Sequence, residues 1–228
     1  MKKLIDIIEG LKINSKTKVN KYTCKPKKWT ELRKIIEERL NKYYNANLND
    51  IDVSEITNMS NLFINLDPHD INISEWDVSN VEYMNNMFQD CKNFNCDLSE
   101  WNVSNVKNMA AMFFNCKNFN CNLSRWNVSN VTNTVSMFFI CKKFNSDLSK
   151  WDVSKVTNMY SMFNGCENFN SDLSGWDVSR VKNMNNMFCG CKKFNCNLNK
   201  WDVSNVTKNM NYMFDQCKSL KNKPSWYK

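Results

Sequence analysis

The chain has 228 residues, 42% of them hydrophobic, with only 4 Gly and 3 Pro; this is enough apolar material for a substantial core, and it excludes collagen-like and flexible-linker chains. The formal charge of +8 is unevenly placed, because residues 1–47 hold 13 Lys/Arg against 5 Asp/Glu while residues 48–228 are balanced. The 11 Cys, an odd number beside a single His, cannot all pair within one chain and lack the paired C-x2-C or Cys/His spacing of a structural zinc site.

Residues 1–47 are predicted to form a basic, helical N-terminal cap. The opening stretch MKKLIDIIEGLKINS reads as a short amphipathic helix rather than a signal peptide, since Asp6 and Glu9 interrupt its apolar run. No window approaches the roughly 18 unbroken apolar residues of a membrane span, so no span is expected. With no export signal read, the expected location is cytoplasmic or virion-associated, where the cysteines stay reduced. A lysine run comes next, including Lys25, Lys27 and Lys28, with Tyr22 and Trp29 beside it for stacking; this is the candidate site for a polyanion or nucleic acid. Then KWTELRKIIEERLNKYY, Lys28 to Tyr44, places Leu32, Ile35, Ile36, Leu40 and Tyr43 on one helical face, suited to covering the open edge of the domain that begins at residue 48.

From residue 48 to 228 the chain restates a 25-residue phrase. Tryptophans fall at 76, 101, 126, 151, 176 and 201, with Ile51 in the equivalent place one unit earlier, so seven units start near 51, 76, 101, 126, 151, 176 and 201. Counting from Trp as zero, Val recurs at +2 and +5, Met at +8 and +11, Phe at +12, Cys at +15, Phe at +18 and Leu at +22. The intervals of three and four between +5 and +15 predict a short helix, with the Ser at +3 as its N-cap. The Leu-x-x-Trp-x-Val alternation around each boundary predicts a short strand. One helix and one strand cannot bury their own apolar faces, so the units must stack. The expected fold is therefore an α/β solenoid of about seven strand–helix repeats, leucine-rich-repeat-like, with an N-terminal helical cap.

In that arrangement equivalent residues form columns. The Trp, Val, Met, Phe and Leu columns are candidate core, and so is the Cys column (Cys91, Cys116, Cys141, Cys166, Cys191, Cys217), because no His or Lys pattern accompanies it to activate a thiol. The Asn at +19 would form a ladder that satisfies backbone groups, with sugar or ion binding as the sharper alternative. The Asp/Asn column at +1 reads as turn-starting Asx residues. His69 stands where the repeat has Phe and is expected to be a core substitution, not a base.

The runs WDVSNVEYMNNMF, WDVSKVTNMYSMF and WDVSRVKNMNNMF resemble the repeats of the BspA-like surface-protein family, the Mycoplasma-type units of about 25 residues; the resemblance covers roughly residues 48–226. It implies a leucine-rich-repeat-like fold, a place among bacterial surface proteins and large viruses, an adhesion or host-interaction role, and no enzymatic activity. The residues themselves point the same way, since one His and four Gly leave little from which to build acid–base chemistry or a phosphate loop. The expected function is a monomeric, non-enzymatic scaffold that needs no cofactor and binds an unidentified protein partner. Column +13 reads Ile64, Gln89, Phe114, Phe139, Asn164, Cys189, so Phe114 and Phe139 with Ile140 form either an apolar docking patch or a partly buried seam.

Overall fold

The structure is a computed structural model that describes residues 21–43, 45–68, 70–207 and 209–228. The segment Met1 to Asn20, Tyr44, His69 and Lys208 lie outside the described residues, and with them the expectations for the opening amphipathic helix and for His69 as a core substitution.

Among the described residues there is one α-helix, α1, Trp29–Lys42, and no strand longer than an isolated bridge. The α/β, leucine-rich-repeat-like solenoid of strand–helix repeats is therefore not what the chain forms. Each 25-residue unit is instead a coil made of tight turns that bond alternately within the coil and to the next one. In the unit from Trp101, Met112, Phe114 and Cys116 donate their N–H groups three residues back, to Met109, Ala111 and Phe113 (3.0–3.2 Å). The alternating residues Met109, Ala111 and Phe113 donate to Asn133, Val135 and Met137 of the next coil (2.8–3.0 Å).

A helix is ruled out locally because the +10 and +14 residues sit at positive φ, for example Ala111 at 52° and Asn115 at 59°, and left-handed residues break an α-helical run. The expected strand is replaced by two more turns, Trp101 N–H to Leu98 and Val106 N–H to Val103. The expected Ser N-cap is reversed: the Ser154 backbone N–H donates to the Asp152 carboxylate (3.0 Å), and the same bond recurs at +1/+3 in every unit from Asp52/Ser54 to Asp202/Ser204. The Asp/Asn column is thus a set of Asx turns, as its composition predicts.

The core columns lie where apolar periodicity puts them. Trp76, Trp101, Trp126, Trp151, Trp176 and Trp201 are each 3–4% exposed, and the Phe columns at +12 and +18 are almost fully buried. Rings of adjacent coils stack nearly parallel: Phe113–Phe138 at 5.7 Å and 7°, Trp126–Trp151 at 6.4 Å and 2°. Each indole also satisfies its polar edge, as where Trp151 Nε1 donates to the Leu123 carbonyl (2.9 Å). Trp226 continues this ladder 25 residues after Trp201, stacked at 6.4 Å and bonded to Leu198.

Helix α1 closes the first coil. Leu32 and Ile36 are fully buried in the same cluster as Ile51, Met59 and Phe63, with Ile35 and Leu40 packed against it. Tyr43, expected on the apolar face, is instead 56% exposed, because the chain leaves the helix there in an extended conformation. Arg33 supplies what an earlier coil would: its guanidinium donates to the carbonyls of Leu62 (2.7 Å) and Ile64 (3.4 Å), the positions that in later coils accept from the coil before, and also to that of Asn61 (3.1 Å). Arg39 pairs with Asp50 and ties the far end of α1 to the same coil.

Candidate functional site

Three sets of columns that could have carried chemistry bond instead to backbone groups of neighbouring coils. In the Cys column each thiol lies on a carbonyl of the preceding coil, as with Cys141 Sγ and Phe113 O at 2.9 Å. Burial pushes the Cys91 thiol up to about 12 and raises Cys116, Cys141 and Cys191 well above the ordinary range. Burial of this kind disfavours the thiolate that nucleophilic attack and metal ligation require. A second column at +20 uses Cys or Ser in one role: Leu98 N–H donates to Cys121 Sγ (3.1 Å) and Leu123 N–H to Ser146 Oγ (2.8 Å). The +19 Asn side chains accept from the backbone one coil on, Asn145 N–H to Asn120 Oδ1 at 2.9 Å and Asn170 N–H to Asn145 Oδ1 at 2.9 Å, which is the ladder reading of that column.

The variable residues lie mainly on the hydrogen-bonded face, at +9, +10, +13 and +14. Phe114 and Phe139 are half-buried there and stack on each other with centroids 4.6 Å apart and planes 9° apart. Ala110, Ala111, Val135 and Ile140, also half-buried, extend the patch across two coils. The coil register thus makes Phe114, Phe139 and Ile140 neighbours, half-buried, with the two rings stacked on one another.

Ile140 has a feature that sequence reasoning missed. Its φ is +58°, in the left-handed region that a β-branched side chain rarely adopts. The same position in other coils is Asn65, Asp90, Asn115, Gly165, Gly190 or Gln216, mostly residue types that tolerate this conformation. The signal was available in the column's composition, since an Asn/Asp/Gly column marks positive φ and isoleucine is the departure from it. Room for the side chain comes from the next coil: a Cβ on Gly165, itself at φ +76°, would lie 3.1 Å from Ile140 Cγ1.

Two residues beyond Ile140 the coils present lysine. Lys92, Lys117, Lys142, Lys192 and Lys218 occupy +16, with Lys143 and Lys193 beside them at +17, and all are exposed. Backbone bonds hold the column in register, as with Lys143 N–H to Lys117 O at 3.3 Å. Glu167 interrupts it and pairs with Lys192 (2.6 Å) and Lys142 (2.9 Å), which hold its carboxyl below the usual range. Lys117 and Lys143 have no ion-pair partner among the described residues. Sequence reasoning missed this column because the repeat units are neutral in sum, the lysines being offset by the Asp residues at +1 and +21 elsewhere on the coil.

The polyanion candidate is less free. Lys25 is held by Asp52 (3.0 Å) and Glu55 (3.1 Å) against the first coil. Lys27 and Lys28 are exposed and border a cleft of about 280 Å³ with Trp29, Glu55 and Asn58. Among the described residues no helix is long and apolar enough to cross a membrane.

Comparison with known proteins matches the chain to a family described as "Mycoplasma protein of unknown function, DUF285", over residues 30–142 and 121–227. No curated protein and no solved structure matches the chain.

Proposed function

The chain belongs to the DUF285 family, and from that premise we propose that it is a non-enzymatic scaffold that binds another protein, of the adhesion or host-interaction type implied by its resemblance to BspA-like surface repeats. The observation that carries this reading is Ile140. A β-branched residue in the left-handed region costs roughly 1–3 kcal/mol relative to one that fits, and such strain is characteristic of functional positions. Here it places an apolar side chain beside the Phe114–Phe139 stack, where the other coils have Asn, Asp, Gly or Gln. Aromatic and aliphatic side chains clustered on one face are the usual anchors of a protein interface. Polyanion binding by Lys25, Lys27 and Lys28 is the weaker alternative, because Lys25 is already neutralised by Asp52 and Glu55.

Ile140→Asn tests the reading, since it restores the column's usual residue. The variant is expected to melt at or above the wild-type temperature while losing affinity for peptides selected on the wild-type surface. A fall in stability of about 1 kcal/mol or more, the cost of losing a core contact, would make Ile140 a packing residue and remove the basis of the patch.

A further inference from the structure

We propose that the occupant of the Phe114–Phe139–Ile140 patch is an acidic segment of the partner protein that carries apolar anchors, its carboxylates resting on Lys117 and Lys143. This rests on the reading of the patch as a docking face and adds the chemistry of the segment that docks there.

The argument starts from charge. A coil step brings equivalent residues to about the spacing of neighbouring strands, roughly 4.8 Å, so a lysine column sets like charges side by side, an arrangement that opposes folding. At several columns the chain sets counter-charges between coils: Lys107 with Glu82 (2.8 Å), Arg125 with Glu100 (2.9 Å), and Glu167 with both Lys142 and Lys192. Of the +16 and +17 lysines of the two coils that carry phenylalanine, only Lys142 has such a partner among the described residues, in Glu167. There Lys117 and Lys143 stand exposed, adjacent through the Lys143 N–H to Lys117 O bond, and three or four residues along the coil from the aromatic pair. Apolar anchors beside unneutralised cations are complementary to an acidic sequence with aromatic or aliphatic residues in it, the anchors holding the complex and the charges steering it.

Nucleic acid fits the same lysines less well. Single strands bind aromatic platforms by laying bases on free ring faces. Phe114 and Phe139 lie face to face along the stack axis, so their edges rather than their faces are offered outward.

The test is to pan a random dodecapeptide phage library against the full chain, then synthesise the enriched peptides and titrate them by fluorescence anisotropy. Enriched sequences are expected to carry Asp or Glu around Phe, Leu or Trp. Lys117→Glu with Lys143→Glu should weaken them by about tenfold or more, and rising salt should weaken them further. Phe114→Ser with Phe139→Ser should weaken them as well, and Ile140→Asn repeats that arm without altering the stacked rings. Labelled oligothymidine should neither bind the patch nor compete. Peptides that lose affinity with the phenylalanine changes but show no acidic bias, or ignore the lysine changes, overturn the acidic partner and leave the docking face standing. Oligothymidine binding that the lysine changes abolish and the phenylalanine changes spare overturns both. A library that yields no enriched sequence overturns the acidic partner.

Discussion

At the scale of single residues, what decides a position is the environment its column provides. Trp151 is 4% exposed, stacks on Trp126 at 6.4 Å and gives its indole N–H to the Leu123 carbonyl. Trp151→Ala removes a buried aromatic, leaves a cavity and takes one of that carbonyl's two donors, the Trp126 N–H remaining, so a loss of about 3–5 kcal/mol is expected in chemical denaturation. A change near zero would mean that the indoles do not hold neighbouring coils together. Positions of this kind were legible in the sequence, because burial demands apolar side chains and apolar side chains at a fixed register are visible as columns. Ile140 was legible only as an apolar residue near two phenylalanines. Its left-handed backbone is not encoded in its own identity, and emerges only from the Asn, Asp and Gly that share its column.

At the scale of the element, the apolar spacing of three and four residues predicted a helix in each unit, and the chain builds a staircase of turns. Both arrangements return the chain to one face at that spacing, so periodicity cannot separate them. What does is the frequency of Asn, Asp and Ser, whose short polar side chains bond local N–H groups and favour turns over helix interiors. Where that competition is absent, as in Trp29–Lys42, the same spacing does give a helix. The Asx turns also set a pH dependence. Hydrogen bonds from the serines two residues on hold Asp147, Asp152, Asp172 and Asp177 below the ordinary carboxylate range. A depressed folded-state value contributes stability that is present above the unfolded value near 3.9 and is lost as pH falls through the folded one. The melting temperature should therefore drop below about pH 4. Asn makes the same turn without a charge, as where Asn102 accepts from the Ser104 N–H at 3.2 Å. Changing those four aspartates to Asn should keep the neutral-pH melt close to wild type and flatten the acid limb. An unchanged acid limb would assign that limb to other carboxylates.

At the scale of the whole molecule, the backbone bonds of the described coils run within a coil or to an adjoining one, and one end is closed by the Arg33 guanidinium on the first coil's carbonyls. The 25-residue register was legible; the way coils join was not, since the inter-coil bonds run through backbone groups that every sequence possesses. Nearest-neighbour construction makes a strong demand on length. Deleting residues 151–175 joins Lys150 directly to Trp176, so every column continues, and Ile140 meets Gly190, at φ +74°, in place of Gly165. Deleting residues 151–174 instead puts Gly175 where the stack needs tryptophan and shifts every later residue of that coil by one place. The first variant should fold cooperatively, with native-like tryptophan fluorescence and a modest loss of stability; the second should lose order beyond the junction, seen as rapid hydrogen exchange in the adjoining coil. Equal behaviour of the two would mean that the coils do not read one another's register, and that the columns of Trp, Phe and Cys are not what holds them in line.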